Sequence, residues 1–416
     1  MTLQPLACKF LGARLSLVLL LLLAALPVAA APFNVYLLWD NDPATSIAVN
    51  YHTEGRASKM PDPELHYDVQ PRGGDPAAYA NHSMGTKREI PEFPVDRTLN
   101  LASVTGLQPS TTYYFVAGDP QGGYTVERSF RTLPSGDEPI RFVTGGDINV
   151  SPSTVRLLAQ AGKQDPLFCA IGGDIAYVNG RIWEFATWDQ WFKNYDENLR
   201  TGDGRMVPIF AAIGNHEVND FESDNPAVKA PDYTFYFGQV QSQGMTYFSR
   251  QIGRNILLIA LDTGHIAPHG GAQSAWLAET LAANQAVPYR FALYHVPLYP
   301  SHRPFEGEGS RLGRVHWEPY FNAYHLTTAF ENHDHALKRS KLLKAGQPDN
   351  DGVLYIGDGC FGVNPRPVDP AVRPYLEHQA SAAHIWVVDV DSKSVKYRAV
   401  GEQGETLDEY HQKRKN

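Results

Sequence analysis

The stretch Leu167-Phe168-Cys169-Ala170-Ile171-Gly172-Gly173-Asp174-Ile175-Ala176-Tyr177 is an apolar run that stops at two glycines, then presents a carboxylate and a phenol. A strand that ends this way leaves its next side chains at the carboxyl edge of a sheet, where open α/β sheets build their sites. The design recurs along the chain. I-R-F-V-T-G-G-D leads to Asp147, and V-P-I-F-A-A-I-G-N-H-E leads to Asn215, His216 and Glu217. Y-R-F-A-L-Y-H ends at His295, and L-T-T-A-F-E-N-H-D-H ends at His333 and His335. Five apolar strands therefore bring carboxylates, a phenol, an amide and imidazoles to one edge, a donor set that reads as a metal site.

The chain has 416 residues and 43% hydrophobic residues, enough for more than one globular domain. Its start reads differently. Lys9 and Arg14 precede an apolar run from Leu15 to Leu26, and Val28-Ala29-Ala30 offers small residues for cleavage. Residues 1–30 are thus expected to be a signal peptide, the run being short for a membrane span. The mature protein is expected in a secreted, periplasmic or extracellular location, with no stable membrane association after cleavage. Removing residues 1–30 takes away two positive charges and no negative ones, moving the formal net charge from −9 to −11. Such an acidic chain argues against nucleic acid or anionic membrane as partners. Cys169 and Cys360 remain, and both are expected to be core thiols. Asn81 and Asn149 each begin an Asn-x-Ser acceptor.

Working outward, residues 31–135 read as all-β. V-Y-L-L-W, S-I-A-V-N-Y-H-T, E-L-H-Y-D-V, T-L-N-L-A-S-V and T-Y-Y-F-V-A are short runs separated by Pro, Gly, Asn and Asp clusters. The segment from Gly106 to Phe115 resembles the fibronectin type III turn into a Tyr-bearing strand, with Tyr113 placed to make the corner hydrogen bond. A linker at residues 132–139 follows. From residue 136 to 400 apolar strands alternate with helical stretches such as Thr154 to Ala161 and Gln273 to Ala283, the pattern of an α/β domain. Trp188, Trp191, Phe192 and Tyr195 recur at helical spacing and read as the buried face of a helix. Asp262, at the end of I-L-L-I-A-L-D-T, is placed to orient a loop. H-I-W-V-V-D-V and V-K-Y-R-A-V read as a hairpin, and residues 401–416 as a polar tail whose last dozen residues are expected to be frayed.

A pair of cations close together needs a bridging anion, and Asp174 is the candidate. Asp147 adds a hard oxygen. Tyr177 binds as phenolate near neutral pH only to a strongly polarising cation, because a free phenol titrates near about 10. Fe(III) suits that requirement, and His335 completes its protein ligands. Asn215, His295 and His333 form a softer set for a divalent ion: Zn, Mn or Fe(II).

G-G-D (145–147), G-G-D-I-A-Y (172–177), G-N-H-E (214–217), Y-H-V-P-L-Y (294–299) and N-H-D-H-A-L-K-R-S (332–340) occur in the order found in purple acid phosphatases, and the chain resembles that family. The resemblance implies a four-layer metallophosphoesterase β-sandwich flanked by helices, preceded by the fibronectin type III-like sandwich. It implies Asp147, Asp174, Tyr177 and His335 on Fe(III), and Asp174, Asn215, His295 and His333 on the divalent metal. It further implies that His216 contacts substrate phosphate and that His302 protonates the leaving group. The expected activity is an acid phosphatase acting on small phosphoester substrates by attack of a metal-bound hydroxide. Two departures stand out: Asn149 where the family has a glycine, and Leu337 where an aromatic is common.

Two other functions compete: a diesterase or nucleotide hydrolase with the same metals, and a surface binding module with a structural metal domain. An open coordination position and the presence of Tyr177 and His216 argue against the last. His265 and His269, on the loop after Asp262, are candidates to face the site. His52, His66, His82, His316, His325, His378 and His384 read as ordinary core or surface residues. Nothing in the sequence sets an oligomeric state.

Overall fold

A computed structural model describes residues 1–2, 31–368 and 373–414. The expected signal peptide lies almost wholly outside the described residues. Among those residues no helix is long and apolar enough to cross a membrane.

The N-terminal part is a sandwich of two antiparallel sheets. One orders Phe33–Leu38, Ile47–Glu54, Arg97–Val104 and Thr86–Arg88; the other orders Asn81–Met84, Glu64–Asp68, Thr112–Asp119 and Gly123–Tyr124, with Arg128–Arg131 also paired to Thr112–Asp119. Side chains alternate as a half-buried strand requires. Leu65 is buried while its neighbours Glu64 and His66 face outward. The Tyr113 hydroxyl accepts the Gln108 N–H at 2.9 Å, so the corner hydrogen bond forms as expected.

The C-terminal part stacks two sheets face to face. The first runs Ile209–Ala211, Phe168–Ile171, Ile140–Gly145, His384–Val390, Ser394–Gly401, Thr406–Lys413; its first three strands are parallel. The second runs Phe248–Ile252, Ile256–Ala260, Tyr289–Leu293, Thr328–Phe330, Leu354–Gly357, Leu337–Ser340, Leu376–Ala380, parallel from Ile256–Ala260 through Leu354–Gly357. Between them Phe142 stacks on Phe168 at 4.7 Å and meets Phe330 and Phe291 of the opposite sheet at 5.8 and 6.0 Å. Each such ring contributes roughly 1.5–3 kcal/mol by leaving water. The outer face of the first sheet, with Val143, Cys169 and Ile209, is covered by helices Pro152–Lys163 and Phe185–Asn198. The outer face of the second, with Leu257, Ile259 and Ala292, is covered by Ala272–Ala283 and Glu318–Ala323. The result is the expected four layers. Strands buried on both faces explain why the sequence reads as continuous apolar runs there.

Trp188, Trp191, Phe192 and Tyr195 are buried on one helix face, as their spacing predicts. That helix also receives the sandwich: Arg97 donates to both carboxylate oxygens of Asp189, at 2.7 and 2.9 Å. Cys169 and Cys360 are buried and unpaired. One expectation fails. The polar C-terminal stretch is not frayed: Thr406–Lys413 pairs antiparallel with Ser394–Gly401 as an edge strand. Leu407 and Tyr410 pack on the core and Gln412 is buried, while the intervening polar side chains keep the exposed side wet.

Candidate metal centre

The strand ends converge from both sheets. Ile140–Gly145, Phe168–Ile171 and Ile209–Ala211 deliver Asp147, Asp174 with Tyr177, and Asn215 with His216. Tyr289–Leu293 and Thr328–Phe330, in the other sheet, deliver His295, His333 and His335. The edge expected from the sequence is therefore the shared end of two facing sheets.

The donors fall into two groups. In the first, Asp147 Oδ1 lies 2.9 Å from His335 Nε2 and 3.0 Å from the Tyr177 hydroxyl, which is 3.3 Å from the same His335 Nε2. In the second, His295 Nε2 lies 3.1 Å from each of Asp174 Oδ2, Asn215 Oδ1 and His333 Nδ1. Asp174, His295 and His333 offer ligand atoms that all lie within 4.8 Å of one another. The charges of Asp147 and Asp174 act on both Tyr177 and His295, so the two groups share one pocket.

This arrangement fits cations. His295 Nδ1 sits 2.9 Å from Gly172 O, a contact that requires Nδ1–H and leaves Nε2 as a lone pair in the neutral ring. Three acceptor atoms, His295 Nε2, Asp174 Oδ2 and Asn215 Oδ1, then face one another beside His333 Nδ1, an arrangement that a cation or a second proton on His295 relieves. Burial opposes charging of His295, yet Asp174 and Asp147 push its pKa up to about 10. Burial likewise opposes ionisation of Asp174, but His295 holds its carboxyl well below the usual carboxylate range. Burial pushes His333 far down, with His295 adding to the effect, so it stays a neutral ligand-ready ring. Burial, reinforced by Asp147 and Asp174, pushes the Tyr177 phenol far up. A phenolate there requires a strongly polarising ion beside it.

Backbone conformation carries the same message. Asp147, Asp174, Tyr177, His333 and His335 all have positive φ, between 52° and 76°. Non-glycine residues in this region cost on the order of 1 kcal/mol or more and cluster at functional sites. The strain is held by specific bonds. Glu217 accepts the N–H groups of Asp174, Ile175 and Gly214 at 2.7, 2.7 and 2.8 Å. Asp147 Oδ2 accepts the His333 N–H at 2.8 Å. Gly172 and Gly173 are needed because a Cβ would strike Asn332 at 1.9 Å and the Gly214 backbone at 2.6 Å.

His216 sits at the rim. Its ring stacks on Tyr177 at 4.1 Å, Nδ1 is 2.6 Å from Asn179 Oδ1, and Nε2 is 3.8 Å from Asp174 Oδ2. His302 is not drawn into the cluster. Among the described residues its Nδ1 bonds Pro367 O at 2.7 Å, while its N–H donates to Asp334 Oδ2 at 2.7 Å. Of the two loop histidines, His265 faces the site, 5.7 Å from the His295 ring, and His269 instead packs on Trp317 at 4.6 Å. Asp262 orients that loop as expected, accepting N–H groups from His265, Ile266 and Ala267 at 2.7, 3.1 and 2.9 Å.

The two departures take structural roles. Asn149 Oδ1 accepts the Ser151 N–H at 2.6 Å ahead of helix Pro152–Lys163, and Leu337 is buried in the core between the sheets. Sequence reasoning missed Asn179 and the role of Glu217. Glu217 closes the G-N-H-E motif, which was a usable signal; Asn179 had none.

Comparison with known proteins agrees with this geometry. Residues 32–132 match the purple acid phosphatase N-terminal domain, and residues 113–337 match the calcineurin-like phosphoesterase domain. The chain is 26% identical over 304 residues to purple acid phosphatase 15 of Arabidopsis thaliana, covering 64% of this chain and 56% of that protein. It is 27% identical over 308 residues to probable purple acid phosphatase 20 of the same plant, covering 69% of this chain and 66% of the relative. The alignments thus span between about half and two thirds of those relatives' lengths. The yellow lupin (Lupinus luteus) seed purple acid phosphatase PPD1 superposes with a TM-score of 0.76 at 16% identity, covering 92% of this chain and 74% of that one. PhoD superposes at 0.67 with 11% identity, covering 91% and 93%. Both structures bear on the fold. On the domain matches, the chain belongs to the calcineurin-like phosphoesterase family, among the members that carry a purple acid phosphatase N-terminal domain.

Proposed function

We propose that this chain is an exported two-metal phosphatase that hydrolyses small phosphomonoesters. The observation that carries the reading is the pair of donor groups around Asp147 and Asp174, seven side chains whose oxygen and nitrogen atoms converge at one end of the two sheets. In this reading Asp147, Asp174, Tyr177 and His335 hold Fe(III), and Asp174, Asn215, His295 and His333 hold Zn, Mn or Fe(II). When bound, the ions supply a lowered pKa for water and positive charge against the phosphoryl oxygens.

The chain's own groups do the rest. His216, fixed by Asn179 and by stacking on Tyr177, turns Nε2 toward the pocket and contacts a phosphate oxygen. His302 lies on the loop that Asp334 fastens beside His333 and His335, and it gives a proton to the departing alkoxide as the P–O ester bond breaks. Burial of Asp147, Asp174 and His295 excludes competing water from the donor side. Export rests on Lys9, Arg14 and the apolar run that follows them.

The experiment is a side-by-side assay of a phosphomonoester and a bis-ester with purified protein, before and after chelation, with His295→Ala as control. The reading expects monoester turnover that chelation and His295→Ala both abolish. A faster bis-ester rate would make the protein a diesterase, and turnover unaffected by either treatment would remove the metal centre from the reaction.

A further inference from the structure

Outside the metal pocket, on a different sheet, three potential ligands share the outer face of the N-terminal sandwich. Glu64 and His66 are two residues apart on the strand Glu64–Asp68, so both point away from buried Leu65. His82, on the edge strand Asn81–Met84, is directly opposite His66 in the antiparallel register and therefore lies on the same face. The two imidazole rings are 4.7 Å apart. Both Nε2 atoms turn to one carboxylate oxygen: His66 Nε2 is 3.1 Å and His82 Nε2 is 3.8 Å from Glu64 Oε2. The three ligand atoms lie within 4.8 Å of one another.

The same carboxylate oxygen is also held by a tyrosine from across the sheet. Glu64 pairs with Gly118, which pairs in turn with Tyr124, so the three form one row across the sheet. Gly118 places no side chain between them, and the Tyr124 hydroxyl donates to Glu64 Oε2 at 2.6 Å. A ligating carboxylate fixed by an outer hydrogen bond is the arrangement that metal sites use to orient their ligands. Exposure grades outward, with side chains 18% exposed at Glu64, 16% at His66 and 46% at His82. The cluster thus has an anchored inner side and an open outer side.

We propose that Glu64, His66 and His82 form a third metal site, taking a zinc-class divalent ion on the sandwich. Two imidazoles and one carboxylate suit Zn or Cu(II), whereas Mg and Ca favour sets made wholly of oxygen. Three protein ligands leave the fourth position of a tetrahedral ion to solvent, on the side of His82. The ion ties the edge strand Asn81–Met84 to its neighbour and so protects an unpaired sheet edge. The proposal is independent of the catalytic reading, since none of the three residues belongs to the pocket.

The test uses the full chain with its catalytic centre already loaded, and zinc alone as the probe. Zinc bound per chain after equilibrium dialysis is compared for the wild type, His82→Gln and the His66→Gln/His82→Gln double variant. His82→Gln alone sits on the exposed edge, so a folded comparison survives if the double variant does not fold. The expected result is one zinc fewer per chain in both variants, loss of the zinc-dependent rise in Tm, and phosphatase activity equal to wild type. Equal zinc counts and an equal zinc-dependent Tm in wild type and His82→Gln would overturn the proposal.

Discussion

The carboxylate of Glu217 accepts the backbone N–H of Asp174 at 2.7 Å, and so fixes a residue in the left-handed region without touching its side chain. The same carboxylate takes the N–H groups of Ile175 and Gly214, at 2.7 and 2.8 Å, which ties the loop carrying Asp174 to the loop carrying Asn215. Burial and the charge of Asp174 beside it raise the Glu217 pKa, and the N–H bonds from Ile175 and Gly214 oppose that rise by favouring the carboxylate. An amide in its place presents one oxygen and a repelling NH2 to three donors. Glu217→Gln is therefore expected to cost on the order of 3 kcal/mol of stability and to lower metal content and turnover together. Urea denaturation and metal analysis check this; unchanged values in both would show that the two loops hold without it.

Tyr177→Phe removes one oxygen and leaves the ring stacked against His216. The fold is expected to persist, because the lost hydroxyl bonds only to Asp147 and His335 among the described residues. With iron loaded, the wild-type visible absorption band is expected to be absent in the variant. A band that survives would place the ferric ion elsewhere.

His302→Ala separates proton donation from binding. A general acid contributes ~10²–10⁴-fold when the leaving group needs a proton. The variant is expected to lose that factor on an alkyl phosphate and to keep most of its rate on a nitrophenyl phosphate. Equal losses on both substrates would remove His302 from proton transfer, in keeping with its ring bond to Pro367.

The donors were legible because each follows an apolar strand long enough to be recognised alone, as Phe168–Ile171 precedes Asp174. The tyrosine corner and the helix face of Trp188 and Trp191 were legible for the same reason: they are local patterns. What escaped depends on pairing between distant segments. Nothing near Ile209 or Tyr289 says that their strands belong to different sheets, since register between remote strands is set by tertiary packing. Thr406–Lys413 reads as a tail because its polar residues outnumber its apolar ones, and only the pairing with Ser394–Gly401 reveals Leu407 and Tyr410 as an inner face. His66 and His82 looked ordinary because they meet only across a strand pair.

Lys338 sets the second half of the site from beneath. Its buried Nζ is 2.5 Å from both Glu331 Oε2 and Tyr299 O, and 3.1 Å from Asp358 Oδ2. Glu331 also accepts the Tyr294 hydroxyl and the Leu298 N–H at 2.7 and 2.6 Å, so one ammonium braces the segments carrying His295 and His333. Lys338→Met leaves two buried carboxylates without their cation. The expected cost is about 3–5 kcal/mol, with weaker binding of the divalent ion. Thermal melts and metal titration would show it, and a variant as stable as wild type would refute the bracing role.

His52 links acidity to stability at the contact between the sandwich and the helix Phe185–Asn198. It is fully buried among Tyr236, Phe192 and Tyr36, with ring centroids at 5.2, 5.3 and 6.1 Å. The Asn34 amide lies 3.1 Å from Nδ1, and Nε2 has no hydrogen-bond partner among the described residues. Burial holds its pKa well below the usual 6.5, and the charges of Arg97 and Arg88 add to the depression. The sign follows from proton counting: below pH 6.5 the unfolded chain takes up a proton at His52 that the folded chain refuses. Stability from this residue is thus complete above that pH and declines as pH falls toward the depressed folded value. One proton of difference corresponds to a slope of about 1.4 kcal/mol per pH unit. His52→Phe keeps an aromatic ring in the same box and cannot titrate. Other buried histidines, His269 and His384 among them, act in both proteins, so the difference between the two stability profiles isolates His52. The variant is expected to gain on wild type steadily as pH drops from 6.5. Parallel profiles from urea denaturation across that range would mean that His52 charges in the folded protein as readily as in the unfolded one.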